Sequence, residues 1–84
     1  MEPITIYGSA WCPDCRRAKT LLKERGGAFE EVNIEYDPDE EEIVIRANGG
    51  KRKVPTLKVG KRYFACSPFN AQQLADELKI PLNS

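Results

Sequence analysis

Eighty-four residues, 40% of them apolar and 31% charged, allow one small domain spanning residues 1–84, which hides only roughly 60–65% of the surface its unfolded chain exposes. Thirteen basic residues balance thirteen acidic ones, which argues against the net basic face of a nucleic-acid binder, a polybasic membrane anchor and a disordered chain. With no histidine and three cysteines, histidine catalysis and the commonest zinc ligand sets are excluded, and sulfur is the reactive chemistry that remains.

Taken in chain order, Ile4-Thr5-Ile6-Tyr7 is a branched and aromatic run ended by Gly8, which reads as a buried strand. Pro13 to Arg25 turns helical, with Cys15, Ala18, Leu21, Leu22 and Arg25 near one face and Gly26-Gly27 as the stop. Phe29 to Ile34 reads as a second strand. Asp37-Pro38 opens a helix whose acidic first turn, Asp39 through Glu42, complements the helix dipole. Its inward face is expected at Ile43, Val44 and Ala47, and Asn48-Gly49-Gly50 ends it.

Thr56 to Val59 and Arg62 to Ala65 form a hairpin around Gly60-Lys61. Ser67 is expected to cap the last helix, with Pro68 at its first position and Ala71, Leu74, Ala75 and Leu78 on its inner face. The order β-α-β-α-β-β-α needs a parallel crossover first and an antiparallel hairpin second. That predicts an α/β fold with a four-stranded mixed sheet and helices on both faces. The odd cysteine count does not fit a disulfide-stapled secreted domain. The apolar runs fall far short of the roughly 20 residues of a membrane span, and Met1-Glu2-Pro3 opens no visible secretory signal. A reducing cytoplasm is the expected setting.

Cys12-Pro13-Asp14-Cys15 stands where the first strand hands over to the first helix. That spacing lets the two alpha carbons approach about 5.5 Å, the separation of a disulfide. Unpaired N–H groups at the helix mouth favour a thiolate at Cys12 by up to about 2 kcal/mol in sheltered geometry. Cys12 is therefore read as the nucleophile and Cys15, inside the helix, as the shielded resolving thiol. Pro13 fixes the first helical position without losing a hydrogen bond. Asp14 opposes a thiolate at Cys12, and Arg16 and Arg17 offset it. Zinc uses the same cysteine spacing, but a second Cys-X-X-Cys is missing and only Cys66 and carboxylates remain to complete a set, so redox chemistry is favoured over a metal site.

Trp11 either presents a flat apolar rim to substrates or packs over the sheet edge. Tyr7 reads as core. Cys66 is expected near the sulfur end of the sheet as a small buried residue. Pro55 at a strand start is read locally as a trans proline that begins the strand, because Val54-Pro55-Thr56 alone gives no reason to prefer cis.

The chain resembles the glutaredoxin family of the thioredoxin fold, and within it most closely the mycoredoxins and related short glutaredoxin-like redoxins. The matching pieces are Tyr7 through Cys15, Val32-Asn33-Ile34-Glu35, Asn48-Gly49-Gly50, Val54-Pro55-Thr56 and the Ser67-Pro68 turn, in order across nearly the whole chain. The resemblance implies a cis Val54-Pro55 bond facing the cysteines, and binding of a peptide or small thiol at Val54, Pro55 and Thr56. A contact through Ser67 and its neighbouring N–H groups is a secondary expectation.

The implied activity is reduction of protein disulfides and of mixed disulfides with a low-molecular-weight thiol, by a monomer with no bound cofactor and no metal. Ser9 stands where glutathione-using members often carry lysine, and Ala65-Cys66-Ser67-Pro68 replaces their Gly-Gly-x-Asp turn. Mycothiol, another thiol or a thioredoxin reductase therefore stand beside glutathione as the expected electron donor, and disulfide-containing proteins are the expected partners. Two rival readings are an iron–sulfur or metal carrier, which Pro13, Asp14 and Cys15 fit poorly, and a non-catalytic adaptor on the same fold.

Overall fold

The computed structural model describes residues 3–25 and 27–79. Strand β1 (Ile4–Gly8) leads through the cysteine loop into helix α1 (Pro13–Glu24), and β2 (Glu30–Asn33) follows. A 3₁₀ turn (Ile34–Tyr36) and helix α2 (Pro38–Ala47) come next, then the hairpin β3 (Thr56–Val59) and β4 (Arg62–Ala65), and helix α3 (Ala71–Leu78). The strands lie in the order β2-β1-β3-β4. The β1–β2 pair is parallel, with Gly8 opposite Asn33, and the other two pairs are antiparallel. The expected element order and mixed sheet are both present.

Side-chain alternation along the strands divides the core between the two faces of the sheet. Ile4 and Ile6 of β1 and their partners Val59 and Leu57 of β3 pack with Ala18, Leu21 and Leu22 of α1 and Leu74 and Leu78 of α3. On the other face Tyr7 joins Ile34 and Val44, with Val32 and Val54 against them. Burial pushes the Tyr7 phenol up to about 12, with Tyr63 and Glu40 adding to the effect.

The parallel and antiparallel pairings bring one set of chain ends together. The C-terminal ends of β1, β2 and β4 and the N-terminal start of β3 share a single edge of the sheet. That edge carries the cysteine loop, the 3₁₀ turn, the Val54-Pro55 segment and Cys66.

Three expectations are corrected. Of the inward face expected for α2, Val44 is buried, but Ile43 and Ala47 are exposed, and the other half-buried positions are Asp37, Glu40, Glu41, Ile45 and Asn48. The helical period holds but the face is turned, because Glu41 reaches Arg52 at 2.9 Å and the Asn48 amide turns inward. Ser67 does not cap α3. The cap is Asn70, whose side chain accepts the Gln73 N–H at 2.9 Å, while Ser67 lies three residues earlier on a cis Ser67-Pro68 bond. The second strand is shorter than expected, since Phe29 precedes it and Ile34 enters the 3₁₀ turn.

Of the predicted helix stops, Gly26 lies outside the described residues, and Arg25 carries the α1 cap with its N–H on the Leu21 carbonyl at 3.1 Å. Asn48-Gly49-Gly50 does end α2: Gly49 and Gly50 take positive φ, the region that favours glycine, and the Gly50 N–H closes on the Ile45 carbonyl at 2.8 Å.

Candidate active site

Cys12 occupies the N-cap of α1 with extended backbone, so Pro13 begins the helix at a position where its missing N–H is not needed. The Cys15 N–H donates to Cys12 Sγ at 3.0 Å, one of the otherwise unpaired donors of the first turn. Cys12 Sγ in turn donates to the Val54 carbonyl at 3.7 Å. Sulfur thus stands between a helix-mouth donor and the segment before β3, and the Val54-Pro55 bond is cis, as the resemblance implies.

The two thiols differ in environment. Burial, and then the hydrogen bond with Cys12, push the Cys15 thiol up to about 12 from an ordinary 9.0. It is protonated throughout the physiological range. Cys66 is wholly buried and also raised by burial; its N–H donates to the Pro55 carbonyl at 2.9 Å, and its thiol faces the Asn70 carbonyl at 3.7 Å. It therefore stands behind the cis proline, at the edge expected of it.

The neighbours sort into exposed and buried groups. Trp11 is 80% exposed, so it does not pack over the sheet edge. Arg16 is exposed, and Asp14 pairs with Arg17 at 3.0 Å. Thr56 is wholly buried, and its hydroxyl donates to the Lys53 carbonyl at 2.7 Å while accepting from the Asn48 amide at 3.0 Å. The end of α2 is thereby tied to the stretch that carries Val54. Ser67 is exposed beyond the end of β4.

Two positions that shape this region escape a reading of the residues in isolation. Gly8 faces Cys15 so closely that any side chain there would strike its sulfur. A glycine ending the strand just before the cysteine loop is its one sequence signal. Asn48 reads as a helix stop and is also the amide that braces Thr56. Beside Cys15, a groove of about 400 Å³ runs between the β1–α1 loop and β2, with Ser9, Ala10 and Asn33 among its lining and the Lys19–Glu31 ion pair at 3.1 Å along it. Among the described residues, no group of three or more cysteines and carboxylates is gathered to hold a metal ion, and no helix is long and apolar enough to cross a membrane.

Fold and site together define a small thioredoxin-fold protein with paired thiols gathered at one helix mouth. Residues 4–64 match the glutaredoxin family model. The chain is 40% identical over 79 residues to a protein of Mycobacterium tuberculosis named as a glutaredoxin, covering 94% of this chain and 88% of that one. It is 34% identical over 76 residues to mycoredoxin 1 of Corynebacterium glutamicum, covering 89% and 92%. Among solved structures, the glutaredoxin-like protein NrdH-redoxin from Escherichia coli superposes with a TM-score of 0.73 at 28% identity, covering 88% and 92%. The chain belongs to the glutaredoxin family, whose members are generally thiol oxidoreductases that draw on thiols such as glutathione or mycothiol.

Proposed function

We propose that this chain is a dithiol oxidoreductase that reduces protein disulfides, and mixed disulfides between proteins and a low-molecular-weight thiol. The observation that carries this reading is the asymmetry of the pair: Cys12 Sγ accepts the Cys15 N–H at 3.0 Å at a helix mouth, while the Cys15 thiol is pushed up to about 12. One sulfur meets an N–H donor of the helix mouth and the other is kept as a proton-bearing reserve.

In the proposed reaction Cys12 thiolate attacks one sulfur of a disulfide R–S–S–R′, and R′ leaves as a thiolate that takes a proton from solvent. The new bond is Cys12–S–S–R. Cys15 Sγ then attacks Cys12 Sγ, its proton passes to the departing sulfur so that R leaves as a thiol, and Cys12–Cys15 becomes the disulfide. Two molecules of a small thiol, or a dithiol reductase, return the electrons and are themselves oxidised to a disulfide. No metal or organic group enters these steps.

The surrounding residues have supporting parts in this scheme. Val54 offers main-chain pairing to the substrate, Pro55 shapes that segment, and Thr56 braces it from behind. Pro13 sets the first helical residue, Asp14 and Arg16 tune the charge beside Cys12, and Trp11 borders the site. Ser67, at the end of β4, is available to a small-thiol substrate. We assign the whole chain, residues 1–84, to one monomeric domain acting in the cytoplasm.

The test is an NADPH-coupled assay run in parallel with glutathione, mycothiol and thioredoxin reductase as electron source, with Cys12→Ser as the inactive control. Turnover with a small thiol supports the mycoredoxin-like form of the reading. Turnover with the reductase alone replaces it with a thioredoxin-like one, a form favoured by the thioredoxin-like activity profile named for the Escherichia coli NrdH-redoxin. No turnover from any source sinks the reading.

A further inference from the structure

The sulfur edge of the sheet is asymmetric in a way that the balanced net charge conceals. Across that edge the strand order sets the sequence of features: the 3₁₀ turn at the end of β2, Trp11 and Cys12 beyond β1, then residues 51–54 before β3. Gly8 of β1 pairs with Asn33 of β2. Trp11 lies three residues beyond Gly8 and Tyr36 three residues beyond Asn33, so the two aromatics leave neighbouring strands at matched positions. Trp11 is 80% exposed and Tyr36 82%.

Two large rings held this far into water at the sulfur edge offer apolar surface for a partner to cover. Residues 35–42 hold six acids and no base. Glu41 and Glu42 are paired with Arg52 and Arg46, whereas exposed Glu35 and Asp39 stand on either side of Tyr36 in the chain.

We propose that Tyr36, with Trp11, forms a docking surface for polypeptide disulfides that carry a lysine or arginine close to the reacting cysteine. The proposal rests on the reductase reading above and names its substrate class. In a mixed disulfide the substrate's alpha carbon stands roughly 5.5–6 Å from that of Cys12. Neighbouring strands lie about 4.8 Å apart and an extended chain advances about 3.3 Å per residue, so a residue about two positions from that cysteine crosses from β1 toward the β2 side. There it meets an exposed tyrosine face bordered by Glu35 and Asp39, which suits a cation through ring and charge together. Apolar neighbours of the cysteine rest on Trp11. A small-molecule disulfide reaches none of this.

The only tryptophan is Trp11, so its fluorescence reports occupancy without any redox step. The reduced protein is titrated with a peptide bearing lysines on both sides of a serine in place of cysteine, and with a glutamine-flanked copy. The lysine peptide is expected to change Trp11 emission saturably and more weakly at high salt. Tyr36→Ala is expected to raise its Kd about fivefold, Tyr36→Phe to retain it, and the glutamine peptide to bind both proteins equally weakly. With a cysteine-containing lysine peptide as its disulfide, kcat/KM should fall by a similar factor in Tyr36→Ala, while reduction of hydroxyethyl disulfide stays unchanged.

Equal binding by wild type and Tyr36→Ala, or an equal loss on both disulfides, overturns the docking surface and leaves the reductase reading standing. Tyr36-dependent binding without turnover by the wild type does the reverse.

Discussion

The side chain that Gly8 lacks would begin 2.6 Å from Cys15 Sγ and 3.3 Å from Cys15 Cβ. Cys15 of α1 is buried and lines the groove beside Gly8. The last residue of β1 is therefore coupled to the second thiol of α1 by the absence of an atom. Gly8→Ala is expected to destabilise the fold by about 1–3 kcal/mol through overpacking. A double-mutant cycle in urea separates the cause: in a Cys15→Ala background most of the penalty should vanish, because the sulfur it strikes is gone. Alkylation of Cys12 should persist in Gly8→Ala. A penalty of the same size in both backgrounds would assign it to the strand instead.

The protonated state of Cys15 links stability to pH. Its folded value, raised to about 12 mainly by burial, lies above the ordinary 9.0 of an unfolded chain. Below about pH 9 both states hold the proton and the native contribution is complete. As pH rises from 9 toward 12 the unfolded chain releases the proton first, and the contribution is lost. Denaturation midpoints should thus fall across this window, and the slope should be shallower in Cys15→Ala. Tyr7 shifts in the same direction and leaves part of the slope in that variant. Equal slopes in the two proteins would refute the linkage.

The elements were legible because local signals agreed: the branched and aromatic run of β1, helical spacing from Cys15 to Leu22, and Gly60-Lys61 between two short strands. The sulfur pair was legible from spacing and from its position between a strand and a helix. What stayed hidden depends on packing between distant segments. Gly8 meets Cys15 only after α1 folds back on β1, and Asn48 meets Thr56 only after α2 crosses to β3. The α2 face misled because its half-buried positions include Asp37, Glu41 and Asn48, whose side chains are satisfied by partners that hydrophobic periodicity does not register. The cis Val54-Pro55 bond was anticipated through family likeness, since the tripeptide alone favours trans.

The brace at Thr56 predicts a defect in binding rather than chemistry. Its hydroxyl joins the Asn48 amide and the Lys53 carbonyl, one residue before Val54. Thr56→Val keeps the shape but removes both bonds. The Asn48 amide keeps the Val44 carbonyl at 2.8 Å and Lys53 is exposed, so the loss in stability is about 0.5–1.5 kcal/mol. KM for a peptide disulfide should rise several-fold, while the rate of Cys12 alkylation by iodoacetamide should be preserved. Thr56→Ser, which retains the hydroxyl, should recover most of the KM. An unchanged KM in Thr56→Val would remove Thr56 from the substrate-binding part of the site.

The start of α3 offers a test of the capping correction. Asn70 accepts the Gln73 N–H at 2.9 Å, and its own carbonyl receives both the Leu74 N–H at 3.0 Å and the Cys66 thiol at 3.7 Å. Asn70→Ala removes only the side-chain acceptor and should destabilise the protein by about 0.5–2 kcal/mol, as lost caps do. Ser67 is exposed and three residues upstream of this cap, so Ser67→Ala should change stability by no more than about 0.5 kcal/mol. Urea midpoints measured on the two variants distinguish the alternatives directly, because a cap at Ser67 requires the opposite ranking. Hydrogen exchange at the Gln73 N–H gives the local reading: it should accelerate in Asn70→Ala and hold its protection in Ser67→Ala.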